Sequence, residues 1–244
     1  MNHLFPPLLP KDDLRPPVVV IAAHPDDEVI ACGGILAWHR DQGHPVTVVH
    51  MTDGAQSDPE GRFGDIKAVR RREGRDALAY LGVTDVRSLD YPDGELPEHL
   101  DAVTTSVEHL VTELAPRTLY SFFFTEAHRD HRAVAHAVAR ASGALSPDCR
   151  CLLFGVNQVV VGGTMFDVTA SLDRKTRALA AFESQLAYND FLVKIQHRDH
   201  AATVNIEDQS IQYAELFADL RPEELEETLG MAELLYKRLL RDGT

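Results

Sequence analysis

His24, Asp26, Asp27 and Glu28 follow directly on an unbroken apolar run, Val18-Val19-Val20-Ile21-Ala22-Ala23. A second polar cluster, Glu126-Ala127-His128-Arg129-Asp130-His131, follows a second apolar run, Thr118 to Phe124. Core packing has no use for these groups at such places. His24 and Asp27 are three residues apart, as are His128 and His131, and a chain turning out of a buried strand can aim such a pair at one point. Imidazole and carboxylate donors suit zinc, and three protein ligands with a fourth position left to water make a catalytic site rather than a structural one. His24, Asp27 and His131 form such a set. Asp26 then stays unligated beside the water position, where a general base belongs.

The elements that must position these groups are legible. Val18 to Ala23 lacks alternation, so it reads as a strand covered on both faces. Val29 to Gln42 reads as a helix capped by Gly43, Pro45 to Met51 as a second strand, and Asp65 to Leu81 as a helix after a surface loop at 57–64. Val86 to Leu89 is a short strand ending in the turn Asp90-Tyr91-Pro92-Asp93-Gly94, and Leu96 to Leu114 is a helix. Thr118 to Phe124 and the helix Ala133 to Ser142 complete four strand–helix alternations. That alternation is the signature of a parallel α/β sheet with helices on both faces, whose ligand sites lie at the carboxyl ends of strands. Beyond it, the runs 151–156, 158–161 and 165–168 predict an edge addition or hairpin. Helices are expected at 173–185, 190–196, 206–220 and 222–240, the last opening on Pro222-Glu223-Glu224. Residues 1–16, rich in proline, read as an extended arm. Without an internal repeat or linker, 1–244 reads as a single domain.

A formal net charge of −14 argues against nucleic acid and anionic membrane surfaces as partners. Cys32, Cys149 and Cys151 cannot all pair within the chain, and the last two are too close for a good bridge. A reducing, cytoplasmic setting is expected. No signal-like or membrane-spanning apolar segment is seen.

Several features are decoys. His-Arg-Asp-His recurs at 197–200 in a charged segment and reads as solvated surface. His50 reads as a hydrogen-bonded core histidine. Cys149 and Cys151 share one strand face as small half-buried residues. Arg70-Arg71-Arg72 lies among Asp65, Glu73 and Asp76, so it is no nucleic-acid patch. Gly33-Gly34 lacks the dinucleotide fingerprint.

At Ala23-His24-Pro25-Asp26-Asp27-Glu28 the sequence resembles the LmbE-like/PIG-L family of zinc-dependent de-N-acetylases. The likeness continues through Gly33-Gly34, Thr52-Asp53-Gly54, Arg70-Arg71-Arg72-Glu73, Leu81-Gly82-Val83, His128-Arg129-Asp130-His131 and Ser184-Gln185, covering most of residues 18–217. It implies a Rossmann-like, mostly parallel sheet between helices, with additional strands and helices towards the C-terminus. It also implies hydrolysis of an N-acetyl group, usually on N-acetylglucosamine within a larger conjugate. By the same resemblance His24, Asp27 and His131 are the zinc ligands and Asp26 the general base. His128 steadies the oxyanion, and Asp130 orients a neighbouring histidine. Arg70 and Asp93 contact the sugar. Some relatives carry a tyrosine two residues before the first histidine of His-x-x-His; Glu126 stands there instead, leaving a tyrosine-assisted step unsupported.

Two alternatives stay open at this level. One is an amidase of a non-sugar acylated amine, the other a non-catalytic amino-sugar binding module. Iron suits the same donor set as zinc. Relatives form trimers or hexamers, and the helices expected at 206–240 offer spare apolar surface for a homo-oligomer.

Overall fold

The computed structural model describes residues 6–160 and 163–239. The chain runs β1 (Val18–Ala22), α1 (Asp27–Asp41), β2 (Val46–Thr52), α2 (Ile66–Tyr80), β3 (Asp85–Tyr91), α3 (Leu100–Leu114), β4 (Thr118–Phe122) and α4 (Arg129–Arg140). It continues with β5 (Arg150–Phe154), β6 (Thr164–Asp167), α5 (Leu172–Ala180), α6 (Glu183–Leu186), α7 (Phe191–Ala201), β7 (Ala214–Leu220) and α8 (Leu225–Leu239). The strands form one sheet in the order β3-β2-β1-β4-β5-β7-β6. β1 to β5 are parallel, while β7 runs antiparallel to both β5 and β6. The mostly parallel α/β architecture is thus as expected. β1, β2 and β4 are buried at every residue, because helices cover both faces of the central sheet.

The strand order reverses beside β1, between β2 and β4, and a crevice opens there at the carboxyl ends. α1 and α4 begin closer to their strands than expected, at Asp27 and Arg129, so each first turn carries polar residues of a cluster.

α1 is broken at Cys32, whose φ of −138° and ψ of 19° are not helical. The amides of Gly34 and Ile35, displaced from the helical ladder, donate to the buried Glu215 carboxylate of β7 at 2.7 and 2.9 Å. Glu215 is held in turn by Lys175 Nζ at 2.7 Å, and the same Nζ meets Asp199 at 2.6 Å. Burial disfavours a charge on Lys175, but the carboxylates of Asp199 and Glu215 outweigh it and hold its pKa above the usual amine range.

The C-terminal third departs most from expectation. The segment expected to be one helix over 206–220 contains β7 instead. The helix expected over 173–185 is two, α5 and α6, separated around Phe182. Residues 158–160 form no strand, while Val161 and Gly162 lie outside the described residues. α7 extends to Ala201 and takes in the second His-Arg-Asp-His. Of the proline-rich arm, residues 1–5 lie outside the described residues, but the rest is packed: Leu9 and Pro7 exchange backbone bonds with Met165 of β6, and Leu14 is buried. α8 exposes Met231, Leu234 and Leu235, the apolar surface expected of the last helix, whose final residue, Leu240, lies outside the described ones. Among the described residues no helix is long and apolar enough to cross a membrane.

Candidate active site

Five parallel strands end around one cleft of about 870 Å³, lined among others by His24, Asp26, Asp27, Arg70, Asp93, His128 and His131. β1 supplies the first cluster, β3 leads to Asp93, β4 supplies the second, and the segment after β5 adds Val156 and Asn157.

Where β1 turns into α1, Asp26 takes φ 133° and ψ −32°, a conformation rarely open to a residue with a side chain. Arg70 reaches over from α2, donating to Asp26 Oδ2 at 3.2 Å and to the Pro25 carbonyl. The buried guanidinium has room because Gly54 stands beside it at φ 65°, where a Cβ would lie 3.1 Å from Arg70 Nε. Three residues on, Glu73 accepts from the Ser184 amide and hydroxyl at 2.8 and 2.6 Å. That locks α2 to α6 and links two motifs distant in sequence. Burial pushes the Asp26 carboxyl up to about 6; Arg70 pulls against the rise and Asp27 adds to it.

Asp27 stands between two imidazoles. His24 Nδ1 is 3.3 Å from its Oδ2, and His131 Nε2 is 3.2 Å from its Oδ1. Burial favours the neutral acid, but His131 and His24 dominate and hold Asp27 well below the usual carboxylate range. On the other side of His24, Nε2 faces Asp93 at 2.9 Å and Asp130 at 3.3 Å. Burial lowers the pKa of His24, yet its bonds to Asp130, Asp27 and Asp93 prevail and raise it well above the imidazole range.

The second cluster is built on the start of α4. His128 caps this helix, its Nδ1 accepting from the Asp130 amide at 3.2 Å. An accepting Nδ1 leaves the proton on Nε2. Burial, with His24 and His131 nearby, lowers the His128 pKa, so the neutral ring is favoured. The Asp130 carboxylate accepts from Gly94 and Leu96 amides at 2.7 and 3.1 Å, fixing the turn that carries Asp93. His131 donates through Nδ1 to Glu126 Oε2 at 2.7 Å. Glu126 in turn accepts from the amides of Val156 and Gln158, at 2.9 and 3.2 Å. Burial opposes a proton on His131, but Asp27 and Glu126 raise its pKa to about 9.

All eight residues singled out from the sequence meet here; Asp130 lies behind His24, not on the cleft wall. Glu126, noticed only as a departure from tyrosine, emerges as the partner of His131. Its one sequence signal is a carboxylate five residues before that histidine, at a strand end. Arg198, expected on a solvated surface, lines the cleft, and its neighbour Asp199 is buried. His197 and His200 are exposed, as expected. His50 is buried with Nε2 3.1 Å from Glu28 Oε2. Glu28 also accepts from the Asp26 amide at 3.4 Å, supporting the turn.

The donor chemistry fits a metal ion. Donor atoms of His24, His128 and His131 lie within 4.8 Å of one another, as do those of His24, Asp93 and Asp130. Asp27 lies between two members of the first set, Oδ2 towards His24 and Oδ1 towards His131.

A crevice of histidines and carboxylates at the strand ends of a mostly parallel sheet is where an α/β enzyme places its ligand site. The chain belongs to the PIG-L family, GlcNAc-PI de-N-acetylase, which matches residues 19–142, and it is accordingly an N-deacetylase. It is 31% identical over 200 residues to the probable N-acetyl-alpha-D-glucosaminyl L-malate deacetylase 2 of Bacillus cereus, covering 75% of this chain and 91% of that protein. The fold is similar to that of the N,N'-diacetylchitobiose deacetylase of Pyrococcus horikoshii, with TM-score 0.72, 22% identity, and coverage of 85% of this chain and 84% of that one. The 4-carboxy-2-hydroxymuconate hydratase of Pseudomonas putida shares it too, at TM-score 0.66 and 21% identity over 83% of this chain and 95% of that one. The fold alone therefore does not name the reaction.

Proposed function

We propose that this chain removes the acetyl group from an N-acetylglucosamine-type conjugate, using zinc held by His24, Asp27 and His131. The observation that carries the reading is Asp27 poised between two imidazoles, with the unligated Asp26 carboxylate beside it in the same cleft. The curated relatives, named for acetylated glucosamine conjugates, support the substrate class.

The ion would supply Lewis-acid polarisation of the amide carbonyl and a lower pKa for water. Asp26 removes a proton from the water that attacks the carbonyl carbon. Arg70 and the unusual backbone at Asp26 hold the carboxylate in place for that transfer. His128 donates its Nε2–H to the oxygen that gains charge in the tetrahedral state, an interaction typically worth about 3 kcal/mol. As the C–N bond breaks, the proton on Asp26 passes to the leaving nitrogen, giving a free amine and acetic acid, which ionises to acetate. Asp93 and Arg70, which line the cleft, would take the sugar hydroxyls. A cleft of about 870 Å³ suits a conjugate larger than a bare sugar.

Acetate release from a panel of N-acetylglucosamine conjugates, with metal analysis of the purified protein, tests the reading. Asp26→Asn is expected to keep its metal and lose about 10²–10⁴ in kcat. Hydrolysis of acylated non-sugar amines with no acetate from any sugar conjugate would replace the sugar reading by the amidase one. Absence of both activities in a folded protein would favour a binding module.

A further inference from the structure

The second His-Arg-Asp-His has no place in this reaction, yet its arginine is tied to both halves of the site. Arg198 Nη2 donates to the Ile30 carbonyl at 2.7 Å, and Nη1 to the Gly155 carbonyl at 3.1 Å. The Ile30 oxygen is available because α1 is broken: its ordinary helical partner, the Gly34 amide, donates to Glu215 instead. Ile30 lies in the short first part of α1, three residues after Asp27. Gly155 directly precedes Val156, Asn157 and Gln158, whose amides hold Glu126 and, through it, His131. The approach at Gly155 is close, since a Cβ there would fall 1.9 Å from the Gln158 carbonyl oxygen.

We propose that Arg198 is a positioning residue that braces the segment carrying Asp27 against the segment that anchors His131, and so sets the spacing of the two ligands. A guanidinium suits the task because its fixed planar fork addresses two carbonyls at once, which an ammonium does not. The brace is itself held: Asp199 Oδ1 lies 3.2 Å from both Arg198 Nε and Nη2, and Asp199 is paired with the buried Lys175 at 2.6 Å. Lys175 reaches Glu215, which fills the break in α1. The ring of contacts thus closes on the same helix whose first residue faces His24 and His131. α7, which carries Arg198, contributes Lys194 and Ile195 to the cleft wall, so the brace fixes that wall as well.

The inference rests on the metal reading above, and its test separates the two. Zinc affinity is measured by competition with a chromophoric chelator for the wild type, Arg198→Met, Arg198→Lys and Arg174→Met, alongside the melting temperature of each metal-free protein. Arg174 is the control: it also bonds carbonyls, Leu81 O at 2.6 Å and Ala37 O at 3.4 Å, the latter in the part of α1 beyond the break and away from the site. Both Arg198 variants are expected to bind zinc roughly 10–100-fold more weakly, the usual effect of losing support behind a ligand. Arg174→Met is expected to melt lower with its zinc affinity within about twofold of wild type. Arg198→Lys keeps the charge opposite Asp199, so it guards against a Met variant that fails to fold. Wild-type affinity in folded Arg198→Lys overturns the brace while leaving the metal site standing. A wild-type protein that binds no zinc overturns the metal reading and the brace with it.

Discussion

The tetrapeptide His-Arg-Asp-His occurs twice, and the two copies share little but their letters. At 128–131 it straddles the start of α4, just past a parallel strand. There His128 is a cap, Asp130 gathers two amides and His24, and His131 faces Asp27. At 197–200 it lies near the end of α7, inside a helix. There both histidines are exposed, His200 bonding the nearby Gln212 carbonyl, while Arg198 and Asp199 turn inward to tie elements together. A strand end leaves backbone amides unpaired and side chains convergent, so polar residues there can assemble a reactive site. A helix interior spreads four consecutive residues around its axis, so inner and outer positions are assigned different work.

Exchanges at equivalent positions are the way to break that contrast. His131→Ala is expected to have the largest effect, abolishing metal binding and acetate release together, whereas His200→Ala retains both; metal analysis beside an activity assay decides. Next comes the support behind the second copy. Lys175→Met removes the buried cation shared by Asp199 and Glu215, leaving one to Arg198 and the other to two amides, and chemical denaturation should show a loss of about 3–5 kcal/mol. His128→Ala should lower kcat by about 10²–10³ with metal retained, while steady-state kinetics of His197→Ala match wild type. Smallest is His197→Ala on stability, a shift within ~0.5 kcal/mol, as for surface positions without specific partners. A destabilised His197→Ala or a fully active His128→Ala would erase the distinction between the copies.

The parallel half of the fold was legible because its strands are buried on both faces and its polar clusters sit at their ends. β7 was not. Its sequence, Ala-Glu-Leu-Phe-Ala-Asp-Leu, is rich in good helix formers, and a charged residue at its second position argues against a buried strand. The structure resolves the conflict with partners from afar: Glu215 is buried because Lys175 and two amides of a broken helix meet it. The same holds for Glu126 and Arg198. Each is defined by backbone groups some thirty or more residues away, Val156 and Gln158 for one and Ile30 and Gly155 for the other. Local pattern carries no trace of such contacts. His24, Asp26, Asp27 and His131 were readable because their own spacing and the preceding strands already imply convergence.

The backbone at Asp26 has a consequence for what holds its turn. Holding a non-glycine residue at φ 133° costs on the order of 1–3 kcal/mol. Glycine would relax that position but leave the buried Arg70 guanidinium without the carboxylate that faces it at 3.2 Å. Asp26→Gly should therefore melt no higher than wild type, and the strained turn is kept in place by the arginine of a distant helix rather than by its own backbone.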